Sequence, residues 1–424
     1  MDQLRIAGGK RLSGRVSVGG AKNASLPEMA ASLLTEDPLR LTNVPDVWDV
    51  GTMRRLLKDL GVECVRRSPQ QPHEPSEIVL EARRLVAHEA PYELVKTMRA
   101  SVLVLGPLLA RHGKARVSLP GGCAIGARPI DQHIEGMKKL GARVALEHGF
   151  VEAETDGLRG GRFRFETKTV TGTENLMMAA TLARGTTMLE NAACEPEIED
   201  LADLLTAMGA QIEGAGSSII EIHGVDRLHG AQHGVLPDRI EAGTYIVASA
   251  LMGDGVTIER CRPGNLTAVL DALGRAGVET ACGETSVEVS PGEKRFRPVS
   301  VTTEPYPGFP TDMQAQFMVL LTQADGRSVL RETIFENRFM HVAELARMGA
   351  AIEIQGHEAL VSGRSPLSGA KVMATDLRAS ACLVIAALAA EGESVIDRVY
   401  HLDRGYERIE EKLQALGAEV SRIA

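Results

Sequence analysis

A chain of 424 residues, 44% hydrophobic and 24% charged, is long enough for two or three domains with substantial cores. Its net charge of −9 excludes a protein that coats nucleic-acid phosphates with a general basic excess, so an anionic ligand must meet locally gathered cations. Aromatic residues make up only 3%, which leaves Ala, Leu, Val and Gly to fill the interior.

The opening MDQLRIAGGKRLSG has no apolar leader core, and no later run reaches ~18 uninterrupted apolar residues. The expectation is a cytoplasmic protein without a membrane span. Lys22 and Asn23 then precede the Ala-rich run ASLPEMAASLL, the first predicted helix. Further on, a helix end, a glycine and a strand recur at LGVECV, LGARVAL, MGAQIEG, AGVET, MGAAIEI and LGAEVSRI. The glycines are Gly61, Gly141, Gly209, Gly277, Gly349 and Gly417, spaced 80, 68, 68, 72 and 68 residues apart. Glycine suits the left-handed position that ends a helix, and the alternation after it suits a half-buried strand. Most units also carry an Ala-rich helix upstream, as in ENLMMAATLA, AGTYIVASALM, DMQAQFMVLLTQA and LRASACLVIAALAAEG. Each unit therefore reads as βαβαββ, and six units can stack in a row or close as two groups of three. HGAQHGVLPD, residues 229–238, breaks the pattern after the third unit and is taken as the domain boundary.

Cations stand near several predicted helix starts, where the positive end of the helix dipole disfavours them. They are Lys22, Arg338 in ENRFMHVAELARMG, Arg378 in TDLRASACLVIAALAA and Arg404 in DRGYERIEEKLQALG. Either bound anions or the neighbouring Asp376 and Asp403 would account for them. Arg99 and Arg128 are further candidates for holding carboxylate or phosphate. The run RVSLPGGCAIGARPIDQHIEG puts Cys123 on a strand-to-helix loop beside Gly121, Gly122, Gly126 and Arg128. Cations and exposed N–H groups in such a loop lower a thiol pKa and let it exchange protons near neutral pH. The other cysteines, Cys64, Cys194, Cys261, Cys282 and Cys382, form no CxxC or CxxH pair, so no metal site is expected. Asp312 in YPGFPTDMQAQF is a helix N-cap or a general base. Neither a GxxxxGK[ST] loop nor GxGxxG occurs, nor GxSxG or HExxH, which removes ATP, dinucleotide and common hydrolase chemistry.

Together GGAKNASLP, PGGCAIGARP, DRIEAGTY, YPGFPTDMQAQF, ENRFMHVAEL, TDLRASA and YHLDRGYERIEEKLQALGA resemble the UDP-N-acetylglucosamine 1-carboxyvinyltransferase family of enolpyruvyl transferases, from about residue 2 to 423. The resemblance implies an α/β fold, a two-domain inside-out α/β barrel in which each domain has three βαβαββ repeats around a pseudo-threefold axis. The implied domains are 22–236, carrying the Cys123 loop, and 1–21 plus 237–424, carrying Asp312, Arg338, Arg378 and Arg404. It also implies that Lys22, Arg128 and Arg404 hold phosphoenolpyruvate, with Arg99, Arg338 and Arg378 completing a cationic cleft. Asn23, Arg99, Arg128, Pro129, Ile130, Asp131, Lys168, Val170, Thr171, Gly172, Asp312 and Ile334 would contact the nucleotide sugar, with Val170 to Gly172 read as a loop. Cys123 would be the acid and Asp312 the base, and the phosphonate epoxide fosfomycin would alkylate Cys123. No cofactor, nucleic-acid partner or membrane partner is implied. The shikimate-phosphate transferase shares the implied fold but lacks the GGCAIGARP loop. A silent nucleotide-sugar-binding paralogue would have no need of Lys22, Cys123, Asp312 and Arg404 together.

Overall fold

The computed structural model describes residues 2–67, 76–119, 130–290 and 295–423, so Cys123, Arg128 and Pro129 lie outside the described residues. All six repeat glycines have positive φ, from 93° to 102°, in the left-handed region that an L side chain enters at a cost. Each ends its helix and turns the chain into the next strand, as the recurring motif predicts.

The chain divides into two compact units. In the unit within residues 20–236, helices α1 (Lys22–Ala31), α2 (Leu105–His112) and α3 (Val170–Ala180) pack together at the centre. Three four-stranded sheets surround them. Each sheet has one pattern: a short strand parallel to a central strand, which pairs antiparallel with a third, which pairs antiparallel with the strand after the repeat glycine. Residues 162–164, 186–190, 219–223 and 211–213 make one such sheet. The sheet of 39–42, 77–81 and 63–67 takes its parallel strand from Gln232–Gly234, so the end of this unit closes its beginning.

The second unit, within residues 2–19 and 237–423, repeats the plan with α4 (Arg239–Met252), α5 (Gln314–Leu321) and α6 (Leu377–Ala389) at its centre. Its N-terminal segment is shared between two sheets. Gln3–Ala7 lies antiparallel between Glu393–Asp397 and Glu419–Ile423, while Leu12–Ser17 runs parallel to Gly253–Glu259. The sheets bury alternate residues against the helices, as with Ile78 and Leu80 in Glu77–Glu81 and Ala359 and Val361 in Glu358–Ser362. The helices, covered all round, bury nearly everything: every residue of α5, including Gln314 and Gln316, is buried. Helices inside and sheets outside, three repeats to a unit, is the inside-out α/β architecture that the family resemblance implied.

Candidate active site

In the unit within residues 20–236, Lys22 is the first residue of α1, whose first turn holds no acidic residue. Its ammonium lies 3.4 Å from Oδ2 of Asp49, which stands in the first turn of the helix Trp48–Leu60. A buried carboxylate thus offsets the dipole that opposes a lysine at this position. Asn23 is half-buried beside it. Arg99 opens the 3-10 turn Arg99–Val104. Its charge reaches His133, which burial first, and Arg99 second, lower to a pKa of about 4, so the ring is neutral. His133 Nε2 is 3.2 Å from Thr171 Oγ1, and its Nδ1 is 3.0 Å from Asn175 Nδ2. Gln132 Oε1 accepts from the Glu166 amide at 2.7 Å, and its Nε2 donates to Thr167.

These bonds bring Ile130 and Asp131, at the start of the helix Asp131–Lys139, against the first turn of α3. Ile130 is buried; Asp131 and Lys168 are exposed, and the Lys168 ammonium is 3.8 Å from Cys194 Sγ. Val170, Thr171 and Gly172 are not the loop that the resemblance implied. They form the first turn of α3, because the Thr169 hydroxyl accepts from the Gly172 amide and caps the helix.

In the other unit, Asp312 binds two buried arginines. Oδ1 accepts from Arg338 Nη2 at 2.7 Å and Oδ2 from Arg378 Nη2 at 2.8 Å, with each guanidinium only 4 to 5% exposed. Burial alone would lower the Arg378 pKa, but Asp312 reverses that and the group is held above its ordinary value. One carboxylate thus holds two guanidiniums side by side, the group best suited to bidentate capture of an anion. Asp312 lies in the 3-10 turn Thr311–Met313 ahead of α5 and does not serve as its cap. Nor do Asp376 and Asp403 neutralise their neighbours' side chains as the sequence allowed. Asp376 accepts the Arg378 and Ala379 amides and caps α6, and Asp403 binds Arg422 at 2.7 and 3.0 Å. Arg378 is the second residue of α6, but Arg338 precedes its helix by three residues. Arg404 is farther still from a helix start, in a turn five residues before Ile409–Ala415. It stands near His401, whose pKa is lowered by burial first and by Arg404 second.

Two residues that sequence reasoning passed over organise this cluster. Tyr406 is buried, and its hydroxyl lies 3.3 Å from Arg378 Nη1 and 2.9 Å from Thr244 Oγ1. Glu332 is 1% exposed and accepts from Thr303 Oγ1, Thr311 Oγ1 and the Ile334 and Phe335 amides at 2.8 to 3.2 Å. It thereby fixes Ile334 and the residue before Asp312. Tyr406 lies inside a motif quoted above, whereas nothing around Glu332 in the sequence marks it as buried. Cys64 and Cys261 are pushed up to about 11 by burial, so neither is a thiolate at neutral pH.

Residues 6–413 match the family model described as EPSP synthase (3-phosphoshikimate 1-carboxyvinyltransferase). Over 423 residues the chain is 58% identical to a UDP-N-acetylglucosamine 1-carboxyvinyltransferase of Koribacter versatilis, covering 100% of this chain and 97% of the relative. A protein of the same name from Acidobacterium capsulatum is 56% identical over 424 residues, covering 100% and 96%. Among solved structures, the enolpyruvyl transferase NikO from Streptomyces tendae superposes with a TM-score of 0.89 at 28% identity, over 99% of this chain and 98% of that one. An EPSP synthase from Acinetobacter baumannii, 16% identical with a TM-score of 0.76 over the full length of both chains, shares the fold. The fold is that of the enolpyruvyl transferases, and the chain belongs to that family, among the UDP-N-acetylglucosamine 1-carboxyvinyltransferases. Among the described residues no helix is long and apolar enough to cross a membrane.

Proposed function

We propose that the protein transfers the enolpyruvyl group of phosphoenolpyruvate to the 3′-hydroxyl of UDP-N-acetylglucosamine and releases phosphate, the first committed step of peptidoglycan synthesis. The observation that carries this reading is 58% identity, along the whole chain, to a relative named for that reaction. The paired arginines on Asp312 support it, because the reaction needs a fixed carboxylate among cations. In the proposed mechanism the sugar hydroxyl attacks C2 of phosphoenolpyruvate while Cys123 protonates C3. Asp312 takes the hydroxyl proton; phosphate then leaves C2 of the tetrahedral intermediate as C3 returns a proton to the Cys123 thiolate, which restores the carbon–carbon double bond. Lys22, Arg128 and Arg404 bind the phosphate and carboxylate, with Arg99, Arg338 and Arg378 adding charge. An incoming anion competes with Asp312 for Arg338 and Arg378, which frees a carboxylate oxygen to accept the proton.

Asn23, Arg99, Arg128 to Asp131, Lys168, Val170 to Gly172, Asp312 and Ile334 are the proposed nucleotide-sugar contacts. The working domains are proposed as 22–236 and 1–21 plus 237–424. The enzyme acts in the cytoplasm, supports cell shape and division, and is alkylated by fosfomycin at Cys123. The deciding experiment measures phosphate release from phosphoenolpyruvate with UDP-N-acetylglucosamine and, separately, with shikimate 3-phosphate, for the parent chain and for Cys123→Ala. Activity with the nucleotide sugar alone, abolished by the substitution, is expected. Activity confined to shikimate 3-phosphate reverses the substrate, and no activity with either sinks the enzymatic reading.

A further inference from the structure

Three side chains distant in sequence meet inside the unit within residues 20–236. Glu28 is on α1, Asp200 on the helix Pro196–Ala207 and His233 on the strand Gln232–Gly234. One donor atom from each lies within 4.8 Å of the other two. His233 Nε2 is 3.1 Å from Asp200 Oδ1 and 3.8 Å from Glu28 Oε1. Glu28 is 0% exposed, and among the described residues no hydrogen bond of proper geometry reaches either of its carboxylate oxygens. A carboxyl group removed from water without a partner is costly, and buried acids ordinarily pair with a cation or ligate a metal. Burial first, then the charge and close contact of Asp200, and last the buried Glu174 push the Glu28 carboxyl well above its ordinary range, so a cation entering here would displace a proton.

We propose that Glu28, Asp200 and His233 bind a divalent transition-metal cation, with zinc the best match to two carboxylates and one imidazole. Metal–ligand bonds of about 2.0 to 2.2 Å in a tetrahedron set its ligand atoms about 3.4 Å apart, and the two observed separations bracket that value. Asp200 is already oriented, since its Oδ2 accepts the Leu236 amide at 2.9 Å. The His233 side chain, 14% exposed, gives a path from solvent. The Ala21 amide donates to the Leu236 carbonyl at 2.8 Å, so a cation here braces the segment of residues 233–236 against both ends of this unit. The cysteine pattern could not foretell such a site, because its ligands come from positions 28, 200 and 233 and share no local spacing.

The test uses the full chain, stripped with a chelator and titrated with Zn2+ or with Co2+ as a spectroscopic probe. One equivalent per chain is expected, with a rise in melting temperature. The cobalt spectrum should lack the intense thiolate charge-transfer band of a cysteine site. Glu28→Gln and His233→Ala should each bind at least roughly tenfold more weakly. A thiolate band, absence of saturable binding, or parent-like affinity in either variant overturns the proposal. So does a Glu28→Gln chain that melts higher than the stripped parent while zinc shifts neither, because a shared proton then accounts for the cluster.

Discussion

Replacing Glu332 by Ala removes a buried carboxylate that accepts four hydrogen bonds, two from backbone amides and two from threonine hydroxyls. The hydroxyls can turn to other partners, but the Ile334 and Phe335 amides are fixed by the chain. Orphaned buried donors cost about 1 to 3 kcal/mol each, so the loss should total about 4 kcal/mol. For a unit of this size about 1 kcal/mol lowers the melting point by ~2 to 4 °C, which predicts a fall of about 10 °C. Glu332→Gln keeps the Oε1 acceptor that serves three of the four bonds, and the Thr311 hydroxyl can reverse its role, so it should cost about 1 kcal/mol. Calorimetry gives the melting points, and phosphate release gives the effect on turnover through Thr311 and Asp312. The reasoning fails if Glu332→Ala melts within ~2 °C of the parent or if Glu332→Gln is as damaging as Glu332→Ala.

Gly141→Ala should cost about 1 kcal/mol, the strain of a left-handed alanine in open space, whereas Gly61→Ala should cost distinctly more. A Cβ at Gly61 would sit 2.8 Å from the Arg84 carbonyl oxygen, and equal chemical-denaturation midpoints for the two variants would contradict the difference. His133 titrates near the ordinary 6.5 in the unfolded chain and at about 4 in the folded one, so the unfolded state binds the extra proton between those values. Stability from neutral His133 is therefore complete above pH ~6.5 and declines by about 3 kcal/mol as the pH falls to ~4. Denaturation profiles of the parent and His133→Gln should converge over that window; parallel profiles would refute the assignment. Arg404→Ala should raise the KM for phosphoenolpyruvate far more than it lowers the melting temperature, and full turnover with a collapsed melt would remove Arg404 from the proposed site.

The helix-to-strand glycines were legible because the signal is local: one residue type, one backbone conformation, repeated six times. Sheet closure was harder to see from the pattern. Residues 3–7, 12–17 and 232–234 complete sheets whose other strands lie far along the chain, and no periodicity reports pairing at that range. The central helix of the second repeat, LGPLLARH, escaped the Ala-rich pattern because it is short and follows a 3-10 turn. At the site, the cations could be named but not their partners. Arg378 lies two residues from Asp376, yet that carboxylate is committed to backbone amides and the guanidinium turns to Asp312, 66 positions away. Proximity along the chain favoured the wrong acid. Thr169, as a cap, turned an apparent loop at Val170 into a helix start, a distinction only hydrogen bonding reveals.

Helices with no solvent face limit how this protein can change over evolutionary time. Along α5 and most of α6 every position is hemmed in, so drift must proceed through exchanges of near-equal volume or through matched pairs of substitutions. New substrate preferences would therefore arise at the segments that lead into these helices, where Asp312 and Arg338 already stand outside the regular backbone, while the interior spans stay nearly invariant.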